Sequence, residues 1–350
     1  MVEDLDIAQE ENAEELYERK TFIIDKGQEP TRIDKWMQAR IENATRSKVQ
    51  KGIESGFLTV NGQQVKSNYK IKPGDELVWV SVASPDYSEV KPEDIPLNIV
   101  YEDNDVMVIN KPANMVVHPG VGNYSGTLLN GVAYHLLQQN PQLNEEDLPR
   151  FGLVHRIDKN TTGLIVLAKT GAAASNLAKQ FFNHTVIRKY VAVVWGDVEE
   201  DNGTINVNIA RHERFRKMFT TYQEADKGKN AITHYKVLQR LNYVSVVECK
   251  LETGRTHQIR VHMKSIGHTL FNDWEYGGER ILKGTIFTKY KQFVDNCFII
   301  CPRCALHAKT LGFIHPITGK ELFFDSELPQ DMQQLVEKWS NYIQHKPLEQ

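Results

Sequence analysis

The spacing of apolar side chains divides the chain into helical and strand-like stretches, and their order predicts a protein with two kinds of layer. From Thr31 onward Ile33, Trp36, Met37 and Ile41 recur at helical intervals, with Arg32, Lys35 and Arg40 on other faces, which predicts an amphipathic helix. A second, basic helix opens at Thr45-Arg46-Ser47-Lys48-Val49-Gln50-Lys51 and stops near Gly52 or Gly56. The period then shortens. Residues 57–63 read as a strand running into the Asn61-Gly62 turn of a hairpin. Residues 65–80 supply further strands around a break at Lys72-Pro73-Gly74-Asp75. Residues 99–112 predict two strands joined by an acidic turn and ended by Lys111-Pro112. The run Leu164-Ile165-Val166-Leu167-Ala168 is short, apolar and preceded by Gly163, the texture of a buried strand. An amphipathic helix is predicted over 171–182, a strand over 188–196, antiparallel strands over 231–238 and 244–251, and a closing helix over 329–345. A glycine turn at Gly254 leads into a further helix with Ile259, His262, Met263 and Ile266 on one side.

Composition narrows the class. At 350 residues, 41% hydrophobic and 25% charged, the chain suits one large and one small domain of an ordinary soluble protein. No apolar run approaches the roughly 20 residues of a membrane helix. The acidic first 20 residues have no apolar centre and do not read as a signal peptide. Four cysteines without disulfide-framework spacing fit a reducing cytoplasm. The net charge of −3 hides a sharp asymmetry. Residues 1–31 carry ten acids against three bases, while residues 32–72 carry nine bases against three acids. A phosphate-binding surface needs such a local positive face rather than a positive total. The expected organisation is an acidic leader over 1–30, a small basic domain over 31–82, a Pro-rich acidic linker over 83–97 and a large domain over 98–350.

Candidate chemistry concentrates in residues 151–170, where His155-Arg156-Ile157-Asp158 and the polar turn Lys159-Asn160-Thr161-Thr162-Gly163 precede the buried strand. A tight loop would deliver Asp158 to a sheet edge, a common way of building a site on a rigid scaffold. By residue type alone an Arg-Asp surface ion pair beside a core strand is the commoner reading. The Gly120-Val121-Gly122 stretch lacks both the spacing and the lysine of nucleotide loops. Cys301-Pro302-Arg303-Cys304, with His307 and His315, is one CxxC without a second pair, and no metal is expected from it.

The stretch from His155 to Lys169 resembles the signature of the RNA pseudouridine synthases of the large-subunit ribosomal RluA/RluD type, with Ile157 for the usual Leu and Thr162 for the usual Ser. Asn110-Lys111-Pro112 with Val117-His118-Pro119-Gly120, the segment from Leu251 to Met263, Asp273 with Tyr276-Gly277-Gly278, and Ala305–Ala308 with Leu311-Gly312-Phe313 and His315-Pro316 continue that pattern in order. Asn272 stands where a glycine is usual. Residues 31–82 resemble the small alpha-L RNA-binding domain first described in a small-subunit ribosomal protein. The resemblance covers residues 31–325.

It implies an α+β protein: a synthase catalytic domain on a mixed, mainly antiparallel sheet, with a small N-terminal α/β RNA-binding domain. It implies isomerisation of uridine to pseudouridine in RNA, which consumes no ATP, redox cofactor or metal. Asp158 falls on the catalytic aspartate, Tyr190 on the active-site tyrosine that packs on the base, and Arg255 on the arginine paired with the aspartate. Arg156 is placed to fill the gap left by a flipped nucleotide or to hold its phosphate. Arg32, Lys35, Arg46, Lys48 and Lys51 would contact the RNA backbone. The expected partner is large-subunit ribosomal RNA, with transfer RNA as an alternative, acted on by a cytoplasmic monomer with no membrane contact. The reading of another class is a non-catalytic RNA-binding factor of ribosome assembly.

Overall fold

The computed structural model describes residues 17–41, 45–54, 56–82, 90–120, 122–142, 152–215, 218–224, 226–285 and 287–344. In the small domain, β1 (Tyr17–Ile23) pairs antiparallel with β4 (Glu76–Val82), which pairs in turn with β2 (Leu58–Val60). The Asn61-Gly62 turn, both residues at positive φ (50° and 77°), connects β2 to β3 (Gln63–Gln64), the geometry that a two-residue hairpin demands. Helices α1 (Ile33–Gln38) and α2 (Arg46–Glu54) bury Ile33, Met37, Val49 and Ile53 against Leu58, Leu77 and Trp79 of this sheet. Two sequence expectations need correction here. The acidic leader does not extend to residue 30, because Tyr17–Ile23 forms the edge strand of this sheet. Residues 65–71 are not strand, and only β4 follows the hairpin.

The second half of the expected linker is also part of the large domain. Val90 is buried in its core, Asn130 donates to Lys91 O, and Gly126 N–H donates to Glu93. Residues 83–89 lie outside the described residues.

The large domain is a nine-stranded sheet in the order β5-β6-β7-β14-β8-β13-β12-β9, with β15 paired to β14. Its strands are β5 (Ile99–Glu102), β6 (Val106–Lys111), β7 (Thr162–Ala168), β8 (Ile187–Trp195), β9 (Asn202–Asn206), β12 (Ile232–Arg240), β13 (Val244–Leu251), β14 (Leu306–Ile314) and β15 (Glu321–Asp325). Only β7 and β14 run parallel. A separate hairpin, β10 (Asn208–Arg211) with β11 (Phe219–Tyr222), is joined by residues 212–218, of which Arg216 and Lys217 lie outside the described residues.

Strand alternation feeds cores on both faces. Along β8, Tyr190, Ala192 and Val194 face α3 (Leu128–Gln139) and α5 (Gln258–Ser265). Val191, Val193 and Trp195 face α6 (Thr288–Ile300) and α7 (Gln330–Gln344). Helix α4 (Gly171–Phe182) covers Leu164 and Val166, while Ile165 and Leu167 point the other way. Strand β7 is thus buried on both faces, which is why it reads as an unbroken apolar run. Each such aliphatic side chain contributes about 1.5–3 kcal/mol on burial, so β7 is a stiff mount for the loop before it.

Candidate active site

The loop of residues 155–162 is fixed from beneath by buried polar groups. His155 is not available as a base: Val166 N–H donates to its Nε2 at 3.0 Å, and its ring stacks on Phe181 at 4.4 Å. Burial, aided by Arg188, lowers its pKa to about 3, so it is a neutral strut. Lys111 is fully buried, and its Nζ donates to Pro112 O, Met115 O and Lys159 O at 2.8, 2.8 and 3.1 Å. Burial brings that ammonium down to about 7 against the pull of Asp158, while three carbonyl acceptors match the three donors of its charged form. Arg303, also buried, donates to Asn160 O at 3.0 Å and pairs bidentately with Asp331 of α7. Gly163, the second residue of β7, has φ 114°, and a Cβ there would meet Ala308 O at 2.2 Å. Only glycine allows β7 and β14 to pair so closely there.

Above this foundation lies a cleft of about 370 Å³, a volume suited to a small ligand. Asp158, Arg156, Tyr190 and Arg255, all expected from the sequence, line it together with His184, Arg188, His257 and Arg260. The Asp158 side chain is 22% exposed. Arg260 Nη1 donates to its Oδ2 at 3.4 Å, and His257 Nε2 lies 4.0 Å away. Burial opposes ionisation of Asp158, but His257, Arg260 and Arg156 outweigh it and hold the carboxyl below its ordinary range. Tyr190 is buried, and its phenol is pushed up by desolvation and by Asp158, with Arg188 opposing.

The pairing expected of Arg255 belongs to Arg260. Arg255 precedes the helix, and its Nε donates to Asn230 O at 3.1 Å. Helix α5 begins only at Gln258, behind His257 at φ 55°, and its inward face carries Arg260. That guanidinium grips Asp273 through two 2.7 Å bonds and also donates to Glu275. Ile266, expected on the buried side, lies past the helix end and is 38% exposed. His257 faces both carboxylates, with Glu275 Oε2 3.9 Å from its Nε2, and its Nδ1 bonds to the Tyr276 hydroxyl at 2.8 Å. Lys111, His257, Arg260 and Glu275 were not singled out from the sequence. The acids following α5, at 273 and 275, are the one signal for Arg260. Asn272 adopts φ 56° and so fills the turn where glycine is usual.

In the small domain Arg32 and Arg46 are not free side chains on a basic face. Both donate through Nε and Nη2 to Asp34, which is fully buried and also accepts from Gln50 and the Lys35 N–H. Lys35 is exposed. Lys48 and Lys51 lie in α2, but their side chains are outside the described residues.

No group of cysteines gathers at the cleft. Cys304 donates to Asp273 and Cys301 to Asp331. Among the described residues Asp103, Asp105 and His315 lie close enough to share an ion. His315 Nδ1 accepts N–H bonds from Ile317 and Thr318, so its Nε2 carries the proton donated to Asp103 and neither nitrogen is left for a metal.

A partly exposed, ionised aspartate beside an aromatic ring and several cations, in a cleft at the ends of interior strands, defines a site for acid-base or nucleophilic work on an anionic substrate. The chain belongs to the RNA pseudouridine synthase family: the RNA pseudouridylate synthase profile matches residues 105–265 and the S4 domain profile matches residues 31–77. It is 45% identical over 321 residues to a Chlorobaculum parvum protein named "Uncharacterized RNA pseudouridine synthase", covering 91% of this chain and 97% of the relative. It is 41% identical to the "Ribosomal large subunit pseudouridine synthase D" of Zymomonas mobilis, covering 87% and 92% of the two chains. Among solved structures, Human RNA Pseudouridylate Synthase Domain Containing 4 shares the fold, with a TM-score of 0.55 and 22% identity over 69% of this chain and 93% of the human one. The protein is therefore an RNA pseudouridine synthase of α+β fold with an N-terminal S4 RNA-binding domain. No described helix is long and apolar enough to cross a membrane.

Proposed function

We propose that this synthase isomerises uridines of large-subunit ribosomal RNA in the cytoplasm, with Asp158 as the catalytic carboxylate. The observation that carries the proposal is the state of Asp158: ionised, reachable from the cleft, and bonded to one guanidinium at 3.4 Å rather than saturated. In the reaction the bond from the sugar to N1 of uracil breaks, the base turns, a bond to C5 forms, and the C5 proton leaves while N1 gains one. The reaction balances without an oxidant, a reductant or ATP. Arg260 keeps Asp158 charged in the partly desolvated cleft, and Tyr190 offers a neutral aromatic face to the base. The target must leave its stack to enter, and Arg156, exposed at the mouth, is placed to occupy the vacancy or hold a phosphate. The similarity to relatives named for the large ribosomal subunit supports that RNA as substrate. Arg32, Lys35 and Arg46, with Lys48 and Lys51, are the proposed backbone contacts of the S4 domain.

Pseudouridine mapping of all cellular RNA in a strain lacking the gene, complemented with wild type or Asp158→Ala, tests the proposal. Loss at discrete large-subunit ribosomal uridines, restored only by wild type, is expected. Loss confined to transfer RNA would replace the substrate, and restoration by Asp158→Ala would remove Asp158 from the chemistry.

A further inference from the structure

One buried cation in the cleft has no counter-ion among the described residues. Arg188 is 8% exposed and lines the same cleft as Asp158. Among the described residues its Nε has no hydrogen-bond partner, it forms no ion pair, and its Nη2 makes a single 3.3 Å bond to Glu252 O. The Phe181 ring, 5.5 Å from its guanidinium carbon, is a weak substitute for a carboxylate. Burying a guanidinium this way is costly unless an anion completes it.

The surroundings converge on it. Gly254 passes directly over Arg188, and a Cβ there would lie 2.7 Å from Nη1. The next residue is Arg255, whose Nε is committed to Asn230 O and whose side chain lines the same wall. His184 stands close enough to feel the charge of both arginines. Arg188 and Tyr190 lie on one face of β8, two residues or about 7 Å apart, the span between a base and the phosphate of one nucleotide. The neighbouring Lys189 turns the other way and pairs with Glu248 at 3.1 Å.

We propose that Arg188, with Arg255 and His184, forms a phosphodiester-binding subsite that seats the RNA backbone of the nucleotide whose base rests on Tyr190. This rests on the RNA substrate proposed above and names a contact that fixes the target's position rather than its chemistry. It also accounts for Gly254: a side chain there would displace the guanidinium from the wall.

Two measurements test it. The first follows tritium release from unmodified large-subunit ribosomal RNA carrying 5-tritiated uridine, with Arg188→Gln, Arg188→Lys and wild type at several salt concentrations. Arg188→Gln should raise KM roughly tenfold, with a far smaller change in kcat. It should also flatten the dependence of log(1/KM) on log salt by about 0.7. Arg188→Lys should keep the wild-type salt slope. Equal slopes for Arg188→Gln and wild type, or a loss confined to kcat, would overturn the subsite. The second needs neither turnover nor the Gln variant. In wild-type protein labelled with ¹⁵N-arginine, the Arg188 Nε–H resonance, identified by its absence from Arg188→Lys, should shift saturably with inorganic phosphate. A drift that does not saturate and is shared by exposed arginines would overturn the subsite. Wild type that releases no tritium defeats the substrate reading, and the phosphate titration then decides the anion site by itself.

Discussion

Each domain places an aspartate among arginines, and the two are treated in opposite ways. Asp34 of the small domain is fully buried, and its oxygens are occupied by Arg32, Arg46, Gln50 and a backbone N–H. The bond from Arg32 leads in driving its carboxyl far below the ordinary range. Asp158 of the large domain is 22% exposed and receives one 3.4 Å bond from Arg260, whose stronger bonds go to Asp273 and Glu275. Saturation makes an aspartate a fastener that sets two guanidinium groups at fixed positions. Incomplete bonding leaves it a reagent, since its remaining lone pairs face the space a substrate would fill.

Exchanging carboxylate for amide should separate the two roles. Asp158→Asn should lower tritium release from ribosomal RNA by about a thousandfold or more, while the melting temperature stays close to that of wild type. Arg260→Gln strands the buried Asp273 and should cost about 3–5 kcal/mol of stability by chemical denaturation. It also frees Asp158 from its counter-ion, so the acid limb of the kcat/KM profile should move to higher pH. Asp34→Ala should cost less, about 2 kcal/mol, because its arginine partners are roughly half exposed and are screened by water. Its functional effect should appear as weaker RNA binding with kcat preserved. If Asp34→Ala lowered kcat as Asp158→Asn does, the distinction between fastener and reagent would collapse.

The last effect appears only in acid and concerns stability. His155 has a folded pKa of about 3, below its unfolded value near 6.5. The unfolded chain therefore binds the extra proton between these values. The stabilisation from neutral His155 is complete above 6.5 and is lost as pH falls towards 3. His262 and His307, both lowered to about 4 chiefly by burial, add to the same limb. His155→Gln, which keeps an acceptor for Val166 N–H, should make the fall of stability between pH 6.5 and 4 shallower by up to about 1.4 kcal/mol per pH unit. Urea melts across that range would show it, and an unchanged slope would mean that His155 is already charged in the fold.

What the sequence disclosed depended on how local each feature was. Strand β7 and the turn holding Asp158 were legible because a doubly buried strand and a glycine-ended polar turn announce themselves within ten residues. The choice between Arg255 and Arg260 was not, because both fit a helix N-terminal region and only the actual start at Gln258 sets which one turns inward. Strand β1 was hidden by its composition: the run Glu18-Arg19-Lys20 reads in sequence like the charged leader before it. Lys111 lay in a recognised motif, yet its role as an anchor for Lys159 O depends on a contact spanning 48 positions. No pattern of spacing carries that information.

The anchor at Asn160 has a consequence for how the molecule is made. Its carbonyl is held by Arg303, 143 positions further along, and Arg303 is steadied by Asp331. Strand β14, which flanks β7, also comes from the last quarter of the chain. During synthesis the S4 domain can close once residue 82 has left the ribosome, since its sheet is complete by then. The loop bearing Asp158 must wait for Arg303 and Asp331, some 250 residues after residue 82. At 5–20 residues per second this is roughly 12–50 s. For that interval the nascent chain holds a finished RNA-binding module and an unfinished reaction centre, so it can dock on RNA before it can alter it.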